Sequence, residues 1–170
     1  MTAPTAATHE ERARDIFRRL FDDRDLTDPG SYWADGLVAR LYALDLTLHG
    51  PDGMAGFFTS LFAAVPDFTM VVEDVVAHEQ GATIRWRAQG TFDGARWIGI
   101  EPTGSRVDLP GVDVMRFDAE GRVVDNHVYY DGAEFARQIG MLPKRDSAAD
   151  RAVLSAFNAA TKARRRLRRG

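Results

Sequence analysis

The sequence predicts an α+β fold, in which a curved antiparallel sheet closes into a cone-shaped barrel against N-terminal helices and one extra helix follows at the C-terminus. Helical periodicity dominates the chain as far as the PDF segment at 66–68. Beyond that segment, apolar and polar residues alternate over four long stretches, as in strands with one buried face. Helices followed by a run of strands are typical of α+β domains, whose helices pack on one face of the sheet.

The N-terminal part of the chain is predicted to hold helices and one short strand. Residues 1–8 are small and polar and are expected to be disordered, while Thr8 and Glu11 match a capping box at the start of the first helix. The apolar stripe of that helix runs from Ala13 to Phe21. The elements that follow are a short helix at 31–43, a short strand at 44–50 and a second helix at 51–65.

The rest of the chain is predicted to form four strands and two helices. The strands cover 68–79, 82–92, 96–117 and 122–130, with Gly, Asp or Pro at their junctions and the turn DAEG before the last strand. A closing helix at 131–143 ends at Gly140 and Pro143, and an amphipathic helix follows at 146–166. We therefore divide the chain into a disordered N-terminus (1–8), one domain (9–143) and a helical extension with a basic tail (144–170).

The composition of the 170 residues is that of a soluble protein with one ordinary core. With 45% apolar and 28% charged residues, the chain is long enough to bury a core without staples, and the absence of cysteine excludes disulfides and thiolate chemistry. No apolar run approaches the roughly 18 residues of a membrane span, and the start MTAPTAATHEE lacks the pattern of a secretory signal. We therefore expect a cytoplasmic protein with no membrane partner.

The net charge of −3 is unevenly distributed. The last ten residues, TKARRRLRRG, carry six positive charges and no negative charge, and subtracting these six leaves −9 on the preceding 160 residues. An acidic body argues against a nucleic-acid partner, whose footprint would be a basic face. We interpret the tail as a solvated helix end whose cations suit the helix C-terminus, although a contact with phosphate or anionic lipid stays open.

Five landmarks stand out along the predicted elements, together with the hairpin at 111–132. They are HGPDG (49–53), FAAVPDF (62–68), IRWRAQGTF (84–92), WIGIEPTGSRV (97–107) and YYDGAEFARQIGMLP (129–143). The combination resembles the SnoaL-like family of polyketide cyclases, within the nuclear transport factor 2-like superfamily that also includes ketosteroid isomerases and limonene epoxide hydrolase. The resemblance covers roughly residues 9–143.

This resemblance implies a cone-shaped α+β fold, commonly dimeric, with an apolar pocket. In the cyclases, that pocket performs a cofactor-free intramolecular aldol reaction on a polyketide ester. The resemblance therefore leads us to expect an apolar small-molecule substrate, no cofactor, a homodimer, and a reaction within the range of cyclases, isomerases and lyases.

Asp113 is the first candidate catalytic residue. By the resemblance, it stands where ketosteroid isomerases carry the carboxylic acid of their oxyanion hole and where the cyclases usually carry a histidine. Met115 and Phe117 share its strand face, so its surroundings are expected to be apolar. A carboxyl group desolvated there has a raised pKa, stays neutral and can donate a hydrogen bond to an enolate oxygen. The alternative is a structural bond to a backbone amide or an arginine.

The strand after Asp113 decides which side chains face that carboxyl group. By the resemblance, its register turns Asn126, Val128 and Tyr130 toward the pocket and Asp125, His127 and Tyr129 away from it. Val128 stands where the cyclases place their acid/base aspartate, and it cannot move a proton. This departure counts against the standard aldol mechanism, and it leaves Asn126 as a candidate for proton transfer or orientation.

His49 is the third candidate for catalysis. It ends a strand at the entrance of the second helix, where a neutral imidazole could abstract a proton, although a surface or capping role is the alternative.

The residues that ketosteroid isomerases use for catalysis are not found at the corresponding positions. By the resemblance, these isomerases carry an aspartate before a proline as their base, and here Gly50 precedes Pro51. The tyrosine of their oxyanion hole would fall near Ile16 and Phe17, where this sequence has no tyrosine. With the base and the tyrosine both absent, we do not expect steroid isomerisation.

Epoxide hydrolysis and metal binding are poorly supported. An epoxide hydrolase needs two aspartates and an arginine to activate a water, and Arg85 is not followed by an aspartate two residues on. The four histidines show no ligand spacing such as H-x-x-x-H, so we expect no metal site.

The residues expected to contact the substrate lie on the inner strand faces and among the helical aromatics. Trp86 alternates with Ile84 and Ala88 and should form the floor of the pocket. The full set is Trp86, Met115, Phe117, Val128, Tyr130, Tyr32 and Phe58.

These observations support two main hypotheses. The leading one is a cofactor-independent enzyme of secondary metabolism that acts on an apolar, polyketide-type substrate, with Asp113 as acid or oxyanion donor and with His49 or Asn126 assisting. The alternative is a non-catalytic domain that binds a hydrophobic ligand or associates through its sheet face. A weaker third possibility is that the basic tail recruits an acidic partner.

Overall fold

Six strands and four helices form the described part of the chain, which is residues 6–168 of a computed structural model. In chain order they are α1 (Ala6–Phe17), β1 (Trp33–Leu41), β2 (Leu46–His49), α2 (Gly50–Ala64), β3 (Thr69–His78), β4 (Gly81–Phe92), β5 (Ser105–Phe117), β6 (Val123–Tyr130), α3 (Gly132–Gln138) and α4 (Ala148–Leu167). A π-helical turn (Arg18–Asp22) extends α1, and 3₁₀ turns cover Pro29–Ser31 and Tyr42–Leu44. The predicted α+β class is confirmed.

The six strands form one curved sheet in the order β2-β1-β6-β5-β4-β3. All neighbours are antiparallel except β1 and β6, which are parallel. Irregular register between Val72 and Asp74, and between Arg116 and Phe117, bends strands that would otherwise be straight. The helices α1 and α2 pack on one face, so the sheet curves around them.

The two faces of the long strand β4 show why the sheet buries only one side. Ile84 and Trp86 point inward and are buried, as the alternation predicts. Arg85 and Arg87 point outward, where they pair with Glu73 and Asp108. The inner faces of β4, β5 and β6 therefore supply the apolar wall that meets the helices.

The prediction of a short helix at 31–43 is wrong. Most of this segment is strand β1, which pairs with β2 on one side (Ala39 with Leu48) and with β6 on the other (Ala39 with Asn126). Leu37 and Leu41 are buried with Ala39 at a spacing of two residues. The segment is a strand because it pairs with β6, in which the partner of Ala39 lies 87 positions further along the chain. The local spacing of apolar residues does not reveal such a long-range pairing.

Two other boundaries also differ from the sequence prediction. The stretch 96–104 is a loop instead of the start of β5, because Ile98 and Gly99 have φ angles of +44° and +84° and turn the chain between Trp97 and Ile100. Helix α1 begins at Ala6, so Thr8 lies inside the helix and is not its N-cap. Of the segment predicted to be disordered, residues 6–8 are helical and residues 1–5 lie outside the described part.

Helix α4 forms as predicted, with Ser147 accepting a hydrogen bond from the amide of Asp150 as its N-cap. Its apolar stripe is not buried, and the Phe157 side chain is 65% exposed. No helix between residues 6 and 168 is long and apolar enough to cross a membrane.

We expect removal of residues 144–170 to leave the stability of the remaining domain nearly unchanged, because α4 contributes no buried residue to the core. Urea unfolding of the full and shortened chains should give the same midpoint, while far-UV circular dichroism of the shortened chain should lose helical signal. A lower midpoint for the shortened chain would contradict this expectation and show that α4 stabilises the domain.

Candidate functional site

An apolar cavity lies between the sheet and the helices, with a volume of about 120 Å³. An apolar cavity of about 150 Å³ can bind benzene, so the space in this cavity is on the scale of one aromatic ring. A larger ligand needs movement of the walls or must extend out of the cavity. The polar residues of the wall are Gln89, Asp113 and Asn126, and the others include Phe57, Phe58, Trp86, Ala88, Trp97, Leu109, Val128, Tyr130 and Phe135.

Asp113 contributes a carboxyl group to this wall, and two N–H donors hold its side chain between them. The Nε1 of Trp86 donates to its Oδ1 at 2.8 Å, and the Nδ2 of Asn126 donates to its Oδ2 at 2.9 Å. The Asp113 residue is 7% exposed and Asn126 is 2% exposed. Each carboxylate oxygen therefore has one neutral hydrogen-bond donor.

The strand register explains how three distant residues meet. Asp113 is flanked on β4 by Ile84 and on β6 by Val128, which are its directly paired neighbours. Trp86 pairs with Gly111 two residues before Asp113, and Asn126 pairs with Met115 two residues after it. Because paired residues and residues two apart share a sheet face, the two donors approach the carboxylate from opposite diagonals.

Gly111 allows the Trp86 ring to reach Asp113. A Cβ atom at this position would lie 2.2 Å from a carbon of the indole ring, closer than any side chain tolerates. The ring therefore lies directly against the backbone of β5. The hydrogen bond to Asp113 depends on this close approach.

Burial raises the pKa of Asp113 to about 6, while the hydrogen bonds from Asn126 and Trp86 oppose that rise because they favour the charged form. A carboxyl group with this pKa is about nine-tenths ionised at pH 7. The rise in pKa has the direction that the sequence analysis expected, and the role of Asp113 as a neutral acid stays a prediction. The ionised group is suited to accept a proton.

Tyr130 also lines the cavity. Burial raises the pKa of Tyr130 to about 12, so the hydroxyl keeps its proton at neutral pH and can donate it in a hydrogen bond. Gln89 also lines the cavity, but its Nε2 donates to Asp108 on the outer side. Between residues 6 and 168, no three His, Asp or Glu side chains come together in a way that could hold a metal ion.

Most of the sequence-predicted residues meet at this cavity. The structure places Asp113, Asn126, Trp86, Val128, Tyr130 and Phe58 on its wall. It places His49, Met115, Phe117 and Tyr32 elsewhere. Of the residues that sequence reasoning missed, Ala88 and Leu109 share the strand faces of Trp86 and Asp113, so alternation alone could have found them.

His49 does not reach the cavity and lies exposed at the end of β2. Leu46 and Leu48 pack against the core, so the strand alternation turns His49 to solvent together with Thr47. The proposed role of His49 as a base at the mouth of the cavity therefore has no support in its position.

Tyr32 is fully buried but points away from the cavity. Its hydroxyl donates to the carboxylate and the backbone oxygen of Asp25, each at 3.0 Å, and the Arg19 guanidinium lies 4.6 Å from the centre of its ring. Burial and the bond to Asp25 raise the pKa of Tyr32 to about 12. Tyr32 therefore closes the core beside the N-terminal helix and is no part of the ligand wall.

Met115 and Phe117 share the face of Asp113, but they lie beyond the end of the cavity. Met115 is buried in the main core cluster, and the Phe117 ring packs 5.4 Å from the ring of His9 on α1. The predicted face was correct, and helix α1 fills the space that these two side chains were expected to line. Trp97 and Phe135, in contrast, reach the cavity from a loop and from α3.

His127 lies on the outer face, as the predicted alternation requires. Its Nδ1 is 2.7 Å from the hydroxyl of Tyr42, and its Nε2 is 3.2 Å from Asp125. Asp125 also pairs with Arg40 and Arg116. This network belongs to the outer face, and His127 does not line the cavity.

Comparison with known proteins confirms the resemblance seen in the sequence. The model of a family described as SnoaL-like polyketide cyclase matches residues 11–139. No curated protein is significantly similar to the chain.

Several solved structures share the fold. AclR from Streptomyces galilaeus, a candidate hydroxylase, is 21% identical with a TM-score of 0.70 over 98% of this chain and 99% of its own. A candidate SnoaL-like polyketide cyclase from Jannaschia sp. CCS1 is 21% identical with a TM-score of 0.72 over 84% and 99% of the two chains. IdmH from Streptomyces antibioticus, a candidate polyketide cyclase, is 21% identical with a TM-score of 0.64 over 77% and 97%.

The burial of Asp113 predicts a specific dependence of stability on pH. The folded protein holds the Asp113 proton up to about pH 6, whereas the unfolded chain releases it near the ordinary value of 3.8. Since the folded state binds more protons between these values, the free energy of unfolding falls as the pH rises through this window. Relative to Asp113→Asn, the wild type should lose roughly 2 kcal/mol between pH 4 and pH 7, measured by urea unfolding. Parallel pH profiles for the two proteins would contradict this assignment.

Replacement of Gly111 tests the approach of Trp86. We expect Gly111→Ala to displace the indole ring and to lower the free energy of unfolding by about 1–3 kcal/mol, as overpacking does. Gly36→Ala is the matched control, because a Cβ at Gly36 meets no atom within 4 Å. Urea unfolding followed by tryptophan fluorescence measures both variants, and equal stabilities would show that the ring does not need the glycine.

Proposed function

The chain belongs to the SnoaL-like polyketide cyclase family, and on this premise we propose that it is a cofactor-independent enzyme that moves a proton on an apolar, polyketide-type substrate. The observation that carries this proposal is the Asp113 carboxylate, buried in an apolar wall with one N–H donor on each oxygen. A carboxylate is costly to bury, and this one has no cationic partner among its hydrogen bonds.

Asp113 acts as the general base in this proposal. A substrate in the cavity presents a carbon beside a carbonyl group, and the carboxylate takes one proton from that carbon. A base with a pKa near 6 is mostly ionised at neutral pH and still basic enough to accept a proton in an apolar cavity. The bonds from Trp86 and Asn126 hold the carboxylate in one orientation before substrate arrives.

Tyr130 stabilises the charge that develops on the substrate oxygen. It pairs with Gly111, two residues from Asp113 on the same sheet face, and lines the same cavity. Its neutral hydroxyl donates a hydrogen bond to the enolate oxygen as the proton leaves the carbon. In a ring closure, the enolate carbon then bonds to a second carbonyl carbon, and the new alkoxide takes the proton back from Asp113. Atoms and electrons balance without an oxidant or a co-reactant.

A second candidate function is binding of an apolar ligand without catalysis. The observation that favours it is Val128, which pairs directly with Asp113. By the resemblance, the cyclases carry their acid/base aspartate at this position, and a valine cannot transfer a proton. Asp113 would then be a buried structural carboxylate, and the cavity would hold a ligand unchanged.

Proton exchange on a small bicyclic ketone separates the two functions. We expect the wild type to accelerate exchange of deuterium from D₂O into carbon 1 of 2-tetralone, followed by NMR. The rate should rise with pH and level off above about pH 6, as Asp113 ionises. Asp113→Asn should lower the rate by about 100-fold or more, the usual contribution of a positioned base.

His127→Gln is the control for this experiment, because His127 lies on the outer face and should leave the rate unchanged. Equal rates for the wild type and Asp113→Asn would overturn the catalytic proposal. Binding of 2-tetralone without any exchange, seen as chemical-shift changes of the protein, would instead support the non-catalytic function.

A further inference from the structure

Helix α4 has an apolar stripe that no other segment within residues 6–168 covers. All residues of the helix except Asp150 and Thr161 are exposed, and Phe157 and Leu167 are 65% and 84% exposed. The stripe follows the helical period from one end of α4 to the other, through Ala149, Val153, Ala156, Phe157, Ala160, Ala163 and Leu167. A helix with one apolar face is the pattern of a helix that lies against a surface.

The remaining sides of α4 carry positive charge without negative charge beyond the first turn. From residue 151 to residue 168 the chain has six cations and no acidic residue: Arg151, Lys162, Arg164, Arg165, Arg166 and Arg168. By the helical period, Arg151 and Lys162 lie opposite the stripe, whereas Arg164 and Arg166 flank it. Within the described part of the chain, none of these six forms an ion pair. The surface that covers the stripe must therefore supply negative charge.

The surface of an anionic membrane complements both properties of α4. A helix with an apolar stripe and a cationic polar face lies flat at the boundary between headgroups and acyl chains, with the stripe inward. Each Lys or Arg close to such a surface strengthens binding by about fivefold. The long arginine side chains that flank the stripe can reach the phosphate groups while their methylene groups stay among apolar atoms. With 20 residues, the helix is about 30 Å long and binds along its whole length.

A second copy of this chain complements α4 less well. The stripe consists mainly of alanine, so a helix packed on it would bury few large side chains. On the outer sheet face, Glu73 and Asp108 already pair with Arg85 and Arg87, so these carboxylates are not free to receive the helix cations of another copy. On a membrane, the cations themselves supply the larger part of the binding.

We propose that α4 binds the surface of an anionic phospholipid membrane. Val153, Phe157 and Leu167 insert among the acyl chains, and the cations of residues 162–168 contact the phosphate groups. The expectation of no membrane partner rested on the absence of a spanning segment, and a helix that lies on the surface needs none. This inference concerns a face outside the cavity and does not depend on the proposed function.

Sedimentation with vesicles tests the proposal on the full chain. Vesicles of phosphatidylglycerol and phosphatidylcholine in equal parts should bind the wild type roughly tenfold or more tightly than vesicles of phosphatidylcholine alone. A change from about 0.1 M to about 1 M NaCl shortens the Debye length from about 10 Å to about 3 Å and should remove most of this difference. Equal binding to the two kinds of vesicle, or binding to neither, would overturn the proposal.

Two variants at neighbouring positions test the apolar stripe. Phe157→Ser removes the largest side chain of the stripe and should weaken binding to the anionic vesicles by roughly tenfold. Asn158→Ser makes a matched uncharged change on the opposite side of the helix and should leave binding unchanged. Both side chains are exposed, so both variants should fold, which far-UV circular dichroism checks. Equal affinities of the two variants for the vesicles would contradict insertion of the stripe.

A second pair of variants tests the cations. Arg164→Gln with Arg166→Gln should weaken binding to the anionic vesicles by roughly 20-fold, since two cations leave the surface. Arg85→Gln with Arg87→Gln removes the same charge from the outer sheet face, where exposed pairs add little stability, and should stay within about fivefold of the wild type. Equal losses in the two double variants would show that the net charge, and not α4, drives binding.

Sedimentation velocity without lipid tests the second copy as the partner. The wild type and Phe157→Ser should have the same oligomeric state, because the stripe is free until a membrane covers it. Loss of an oligomer in Phe157→Ser, together with no binding of the wild type to anionic vesicles, would assign the stripe to a second copy and overturn the proposal.

Discussion

The Asp113 carboxylate, buried between Trp86 and Asn126, is the constraint on which the rest of the structure depends. Its two hydrogen bonds join the three central strands from the inside, and they form only when the registers of β4, β5 and β6 are all correct. Because a one-residue slip turns every side chain to the opposite face, the charge would then lose both donors. The glycine at position 111 is part of the same requirement, since it admits the Trp86 ring.

A cavity beside this carboxylate is a departure from close packing. Two core clusters meet around it, one containing Trp86 and the other Trp97, and their aromatic side chains keep the wall apolar. Water-poor surroundings raise the pKa of Asp113 and would strengthen each hydrogen bond to a bound ligand.

The outer face of the sheet is lined by charged and polar side chains, in contrast to the apolar wall of the cavity. Its charged side chains pair across strands, as Arg85 does with Glu73 and Arg87 with Asp108, and exposed pairs of this kind add little stability. His127 belongs to this face with Tyr42 and Asp125. Separation of the two faces explains why one of the two neighbouring polar residues, Asn126, meets the cavity while His127 does not.

The sequence by itself determined the α+β class, the central hairpin and the faces of its side chains, since strand alternation is a local property. The family resemblance indicated which face is the inner one, and with alternation it placed Asp113, Asn126, Val128 and Tyr130 there. Tertiary structure decided what alternation does not encode. The strand β1 exists because it pairs with β6, and the position of helix α1 ends the cavity before Met115. Trp97 reaches the wall because a turn at positive φ replaces the expected start of β5. These features depend on contacts between residues far apart in the chain or on backbone angles, and residue spacing reports neither.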